Sequence, residues 1–247
     1  MKTPFPDLSR ASVAIFDLDR TLTRHPTYSH FLLSAGVKLA PLRLLANLPF
    51  IAGKALCYRL GRCDRRALKE AMHQAALGPQ LPGETAETLA DAFADTLFAN
   101  GLYSEAREQI AAEQGRCHHV IIATAAPELY VRPLARRLGI HHVIATRNRW
   151  ADHNLVPRID GDNCYGPAKC KRIDAFLDEN GILRSAVSVR FYSDDVSDLP
   201  TFLWADEPVA VNPDRRLRKF AEQAGWPVLD WGKRRKFDRA DRASSCG

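Results

Sequence analysis

The spacing of hydrophobic positions changes period along this chain. Ser12-Val13-Ala14-Ile15-Phe16 is an apolar run that ends in two carboxylates, Asp17 and Asp19, and it predicts a buried strand over about residues 12–17. From about Thr27 to Leu102 no stretch reads as a strand. Apolar positions recur there at helical spacing, most clearly over Arg65 to Leu77 and Glu84 to Phe98, with Pro79, Pro82 and Gly83 between the two. This is a helical insert of roughly 75 residues. Its stretch 39–56 is unusually apolar, but Arg43 and Lys54 bracket only ten uncharged residues, interrupted by Pro49. A membrane span needs about 20 apolar residues, so this one falls short. Two readings stay open: a buried helical hairpin, or a surface element on an anionic bilayer with Lys38, Arg43, Lys54, Arg59 and Arg62 near the headgroups. Pro41 and Pro49 break a continuous amphipathic face and favour the buried hairpin.

Beyond Gly101 strands and helices alternate. A helix to about Glu113 precedes a strand at His118 to Ala123; a helix over Glu128 to Leu138 stops at Gly139. Further strands are expected at His141 to Ala145, Ala186 to Tyr192 and Pro208 to Val211, with a β-hairpin around Asp152-His153-Asn154. One helix carries Lys169 near its start and runs to about Glu179, and another covers Pro213 to Ala224. Such alternation predicts an α/β fold: a doubly wound, Rossmann-like parallel sheet with a helical cap inserted after the first strand. The expected division is a core of residues 1–24 and 103–232, a cap of 25–102 and a flexible basic tail of 233–247.

With 247 residues, 46% hydrophobic and 26% charged, the chain can bury a full core. Its formal charge of +6 is compatible with an anionic substrate, a membrane surface or nucleic acid. Part of the excess sits in Lys233-Arg234-Arg235-Lys236, which reads more readily as a solvated run than as a binding element, so no nucleic-acid partner is expected. The six cysteines are scattered without a C-x-x-C pair, and Met1-Lys2-Thr3-Pro4-Phe5-Pro6 holds no apolar core of a signal peptide. The expected location is therefore the cytoplasm, with a peripheral position at the inner face of the membrane left open. His118-His119 and His141-His142 are adjacent pairs that diverge on strands, which argues against zinc.

Three strands end in polar clusters: Asp17 and Asp19, then Thr124, then Asp194 and Asp198. Parallel strands bring such ends to one crevice, within reach of Lys169. Alternation along an extended chain would crowd Asp17 and Asp19 on one face, which calls for a cation, and carboxylates without histidine suit Mg²⁺. A phosphate held by the ion, Lys169 and backbone N–H groups after Thr124, starting with that of Ala125, would complete the balance. Structural roles compete: Thr124 suits a helix cap, Lys169 a solvated first turn and Asp198 an N-cap.

The ordered set D-x-D-x-T (Asp17, Asp19, Thr21), Thr124, Lys169 and D-x-x-x-D (Asp194, Asp198) resembles the haloacid dehalogenase superfamily of phosphatases over about residues 12–212. The insert and Asn163-Cys164-Tyr165-Gly166 resemble its phosphoserine-phosphatase-like branch. The resemblance implies a phosphoric monoester hydrolase in which Asp17 is the nucleophile that forms an aspartyl-phosphate and Asp19 the general acid and base. It implies that Thr124 and Lys169 hold the phosphoryl group, that Asp17, Asp194 and the Asp19 carbonyl bind Mg²⁺, and that Thr21, Ala125 and Asp198 support the site.

Departures bear on the substrate. The Thr23-Arg24-His25-Pro26-Thr27 segment lacks the glutamate with which phosphoserine phosphatases meet an ammonium, and Asp195 and Ser197 stand where the family carries glycine or serine and asparagine. The apolar, basic stretch 38–62 is similar in composition to that of bacterial phosphatidylglycerophosphate phosphatases, which would make the substrate a lipid phosphate. A soluble phosphomonoester, phosphoryl transfer to an acceptor other than water, and an idle fold that binds anions or a membrane are the alternatives.

Overall fold

The computed structural model describes residues 12–116 and 119–232; the expected lead-in, the residue at which the 118–123 strand was to begin and the basic tail lie outside them. Strand β1 (Ser12–Phe16) stands near the middle of an eight-stranded sheet ordered β2-β5-β4-β3-β1-β6-β7-β8. It pairs in parallel with β3 (His119–Pro127) on one side and β6 (Ser188–Ser193) on the other. Strands β4 (His142–Ala151), β7 (Glu207–Val211) and β8 (Val228–Leu229) extend the parallel run. Val13, Ala14, Ile15 and Phe16 are fully buried, because a central parallel strand is covered on both faces; that is why its apolar residues are consecutive.

The sheet is mixed where a parallel one was expected. β5 (Asn154–Asp160) folds back antiparallel on β4 as the predicted hairpin, and the two-residue β2 (Leu81–Pro82) adds to it. β2 lies inside the stretch that reads as wholly helical, since two residues are too few to set a period. Helices α5 (Ser104–Gly115), α6 (Glu128–Arg137), α7 (Pro167–Glu179), α8 (Leu199–Trp204) and α9 (Arg215–Ala224) fill the connections. Two apolar clusters result, one on each face of the sheet: one contains Phe16 and Tyr192, the other Ile15, Ile173 and Phe191.

Four helices form the insert between β1 and α5: α1 (Thr27–Leu39), α2 (Pro41–Arg59), α3 (Arg65–Leu77) and α4 (Gly83–Thr96). The chain enters and leaves this insert through one paired neck, where Arg24 N–H donates to Gly101 O at 2.9 Å and Tyr103 N–H to Leu22 O at 3.0 Å. The insert shares a core with the sheet layer: Phe31 of α1 and Phe93 of α4 close on Tyr130 of α6 at ring-centre distances of 5.0 and 5.2 Å.

The buried-hairpin expectation for residues 39–56 is overturned. α2 is one helix that continues through Pro49, and its only buried residue is Leu44. Leu42, Leu45, Leu48, Phe50 and Leu56 are exposed. Pro49 lies on the exposed side, where the loss of an N–H donor leaves no buried acceptor unpaired.

Candidate active site

At the sheet edge where β1 stops, the backbone leaves the extended form within a few residues. Asp17 remains extended, and its N–H donates to Tyr192 O at 2.9 Å. A tight turn over Leu18–Leu22 follows, with Arg20 at φ 63°. This turn, rather than strand alternation, brings the Asp17 and Asp19 side chains to one cavity. The cavity measures about 540 Å³ and is also lined by Thr124, Ala125, Lys169, Asp194 and Asp198.

Lys169, in the first turn of α7, is 2% exposed. Its Nζ donates to Asp17 Oδ1 at 2.7 Å and to Asp198 Oδ2 at 2.5 Å, which removes the reading of a solvated residue. Asp198 is not spent on capping α8; its carboxylate takes the Lys169 bond and one from Ser193 Oγ at 2.7 Å. Thr21 Oγ1 lies between two acids, 3.5 Å from Asp17 Oδ2 and 3.3 Å from Asp194 Oδ1. Thr124 Oγ1 accepts from Ala126 N–H at 3.1 Å, so it orders the turn before α6 and does not cap that helix. Asp195 caps the next short turn by accepting from Ser197 N–H at 2.8 Å. Asp19 Oδ1 accepts from both Thr27 N–H and Thr27 Oγ1 at 2.7 Å, and the Thr27 hydroxyl lies 2.9 Å from the Tyr130 hydroxyl. Among the described residues the other Asp19 oxygen takes no hydrogen bond.

The electrostatics are those of an acidic cluster short of positive charge. The Lys169 ammonium pairs with Asp17 and Asp198, Asp194 lies in the same cavity beyond Thr21, and Asp198 Oδ1 is buried without a partner among the described residues. Burial pushes Asp17 up to about 7 against the pull of Lys169. Burial, with Asp17 and Asp195 nearby, pushes Asp194 up to about 8. Burial opposes the charge of Lys169 too, yet Asp17 and Asp198 hold its ammonium above the ordinary lysine range. Such a set accepts a hard divalent cation, and the donors are all oxygen. Among the described residues no group of three or more His, Cys, Asp or Glu is arranged to hold a metal by side chains alone.

Opposite the acids, the insert supplies a different wall: Tyr28, Tyr58, Arg65, Leu68, Lys69 and Met72. Lys69 is 8% exposed; its Nζ donates to Ala125 O at 2.7 Å and Asn163 Oδ1 at 2.8 Å and, among the described residues, forms no ion pair. Burial, aided by Arg65, lowers it to about 7. The Arg65 guanidinium sits 4.1 Å from the centre of the Tyr165 ring. Sequence reasoning missed Arg65, Lys69 and Thr27. The i, i+4 spacing of Arg65 and Lys69 was visible, but a polar helix stripe reads equally as a solvated face.

A family model described as haloacid dehalogenase-like hydrolase matches residues 14–203. The chain belongs to this family. Among relatives of this hydrolase, histidinol-phosphatase of Neisseria meningitidis is 28% identical, over 89% of this chain and 99% of its own. Phosphoserine phosphatase SerB1 of Mycobacterium tuberculosis is 26% identical, over 95% of this chain and 75% of its own. Among solved structures, a protein of unknown function from Bordetella pertussis superposes with a TM-score of 0.77 at 24% identity, covering 90% of this chain and 99% of that one. A phospho-aspartyl intermediate analogue of phosphoserine phosphatase gives a TM-score of 0.61 at 18% identity, covering 89% and 93%. These two likenesses are of fold.

Proposed function

We propose that this hydrolase cleaves a phosphomonoester by transferring the phosphoryl group to Asp17. The observation that carries the reading is the Lys169 ammonium, buried between Asp17 at 2.7 Å and Asp198 at 2.5 Å, beside a separate carboxylate, Asp19, held by Thr27. In the first step an Asp17 oxygen bonds to phosphorus, the ester P–O bond breaks, and Asp19 gives its proton to the departing alkoxide. In the second, Asp19 takes a proton from water, the hydroxide attacks phosphorus, and Asp17 is released with inorganic phosphate. Lys169 and the Thr124 hydroxyl offset charge on the phosphoryl oxygens, with the Ala125 N–H as a further donor. Mg²⁺, held by Asp17, Asp194 and the Asp19 carbonyl, would supply further positive charge against those oxygens. Thr21 fixes the two carboxylates relative to each other. On this reading residues 1–24 and 103–232 are the catalytic core and 25–102 a cap that reads the leaving group.

The cap wall supports an alcohol that carries an anionic group. Buried cations are normally paired, and Lys69 has only neutral acceptors, with Arg65 one turn away. The acids that line the cavity, Asp17, Asp19, Asp194, Asp195 and Asp198, all belong to the sheet edge. An ammonium-bearing alcohol such as that of phosphoserine or histidinol phosphate would meet no counter-charge on the cap. A second reading, a lipid phosphate, is favoured by Tyr58, which joins the cavity wall to α2 and its exposed apolar face.

The test is phosphate release from p-nitrophenyl phosphate and from a panel of carboxylate-bearing, amine-bearing and lipid phosphomonoesters, with Mg²⁺ or EDTA. Turnover is expected with Mg²⁺ and lost in EDTA, and Asp17→Asn should lower it by roughly 10⁴-fold or more with its circular dichroism unchanged. Full activity of Asp17→Asn would sink the covalent reading, and preference for amine-bearing esters would sink the anionic one.

A further inference from the structure

The outward face of α2 is the reverse of what water selects. Along one stripe of the helix, Leu42, Leu45, Ala46, Pro49, Ala52, Gly53 and Leu56 are all exposed, and none of them is polar. Leu42 is 81% exposed, Leu45 64% and Leu56 57%. Spacings of three, four and seven residues put them on one side, opposite Leu44, the residue that α2 buries against the insert. Leu33 and Val37 of the preceding helix and Leu60 just after α2 are exposed as well. Of the three charges inside the helix, Arg59 is exposed in the last turn at the edge of this stripe, and Arg43 and Lys54 do not fall on it. Arg43 reaches inward to donate to Ala76 O at 3.0 Å, and Lys54 lies over the Phe50 ring. A contiguous apolar surface of this kind marks a face that something covers.

Charge selects the occupant. From Arg20 to Cys63 the charged residues are Arg20, Arg24, Lys38, Arg43, Lys54, Arg59 and Arg62, and no Asp or Glu intervenes. Lys38, Arg59 and Arg62, which flank the apolar stripe in sequence, are exposed. A second copy of this chain would bring the same positive rim against itself. An anionic surface that is apolar beneath complements it, and a helix lying in an interface with basic residues at its flanks has these features. No helix of the described residues is long and apolar enough to cross a membrane, so the contact is with one leaflet.

We propose that α2 docks this protein on an anionic lipid bilayer, with Leu42, Leu45, Pro49 and Leu56 inserted among the acyl chains and Lys38, Arg59 and Arg62 against the headgroups. Tyr58, near the end of the same helix, lines the cavity from the side of α2 that the stripe does not occupy, so the docked helix also borders the site. The docking does not depend on which phosphomonoester is hydrolysed.

The experiment is co-sedimentation of the full chain with vesicles of phosphatidylcholine alone or mixed with phosphatidylglycerol. It is run for the wild type and for Leu45→Glu/Leu56→Glu, with light scattering for oligomeric state and p-nitrophenyl phosphate turnover as the check of folding. Binding is expected to the phosphatidylglycerol vesicles, at least tenfold weaker to phosphatidylcholine, and at least tenfold weaker for the double variant, whose turnover stays within twofold of wild type. Absence of binding to either vesicle at low salt would overturn the proposal. So would equal binding by the double variant, which would assign the contact to the basic tail, or a wild-type dimer that the double variant dissolves without any vesicle binding. Vesicle binding is read without turnover, so loss of the phosphatase reading would leave this result standing.

Discussion

Lys69 and Lys169 are both buried ammonium groups on the same cavity, and their partners separate their roles. Lys169 holds two carboxylates, which keep it charged across the working range. Lys69 has a carbonyl and an amide oxygen, and burial draws it down to about 7. An anionic substituent on the substrate would therefore bind best below that value, where the ammonium is intact. Relative to p-nitrophenyl phosphate, which shares the titration of Asp17, kcat/KM for a carboxylate-bearing ester should fall as pH rises through about 7, and Lys69→Met should flatten that ratio. The same variant should raise KM for that ester roughly 10- to 100-fold, as loss of a charged hydrogen bond does, while p-nitrophenyl phosphate turnover changes little. Steady-state kinetics on the two substrates across pH 6–9 checks both statements. The residues of the acidic cluster were legible because each ends a strand or opens a helix in a recognisable order. Lys69 was not, because nothing along the chain says that its helix turns that face to the acids.

At the scale of elements, α3 carries the cap's half of the cavity. Its N-terminus is fixed by Asp64, whose carboxylate accepts from Ala67 N–H at 2.7 Å, and Arg65, Lys69 and His73 then recur every four residues. His73 is buried, its Nε2 has no partner, and burial lowers it to about 4 despite Glu70. The unfolded chain thus binds a proton at this site between about 6.5 and 4 that the folded chain does not. Its contribution is full above that window and is lost as pH falls through it, by roughly 3 kcal/mol in total. His73→Leu should remove this part of the acid sensitivity, seen in urea unfolding at pH 4.5 and 7; an unchanged slope would contradict it. The helical period of α3 was plain from sequence. In α2, Pro41 and Pro49 argue against a continuous amphipathic face and favour the buried hairpin over the surface element, whereas the helix runs through Pro49 and turns its apolar side outward. Periodicity identifies which residues share a face, and it does not say whether that face meets the core or the solvent.

Across the whole molecule, insert and sheet behave as one body. Tyr130 is fully buried between Phe31 and Phe93 of the insert, and its hydroxyl meets Thr27, the residue that holds Asp19. Tyr130→Ala should cost about 3–5 kcal/mol, as large-to-small changes of a buried aromatic do, and should slow turnover through Asp19. Calorimetry should give a single transition for the wild type, because the shared cluster couples the two parts; two resolved transitions would show independent units. A second interior group acts across layers: Glu113 of α5 is buried and accepts from the Tyr192 hydroxyl at 2.6 Å and from Arg190 at 2.8 Å on β6. Arg190 keeps Glu207 as a second partner, so Glu113→Ala chiefly removes the acceptor of the buried Tyr192 hydroxyl and should cost about 1–3 kcal/mol in chemical denaturation.

The sequence by itself determined the alternation of strands and helices, the place of the insert after β1 and the order of the acidic, hydroxyl and lysine positions. These follow from local preferences: a buried parallel strand must be apolar throughout, and its end must turn polar where it meets solvent. The antiparallel edge was only half visible, since the β4–β5 hairpin has a turn signal and the two-residue β2 has no period to read. Only the tertiary structure decided that Lys69 faces the acids without a carboxylate of its own, that Tyr130 joins the insert to the sheet, and that the apolar side of α2 points outward. Each of these is a relation between segments distant in the chain, fixed by packing, and the amino-acid pattern of either segment alone is the same whichever way it turns.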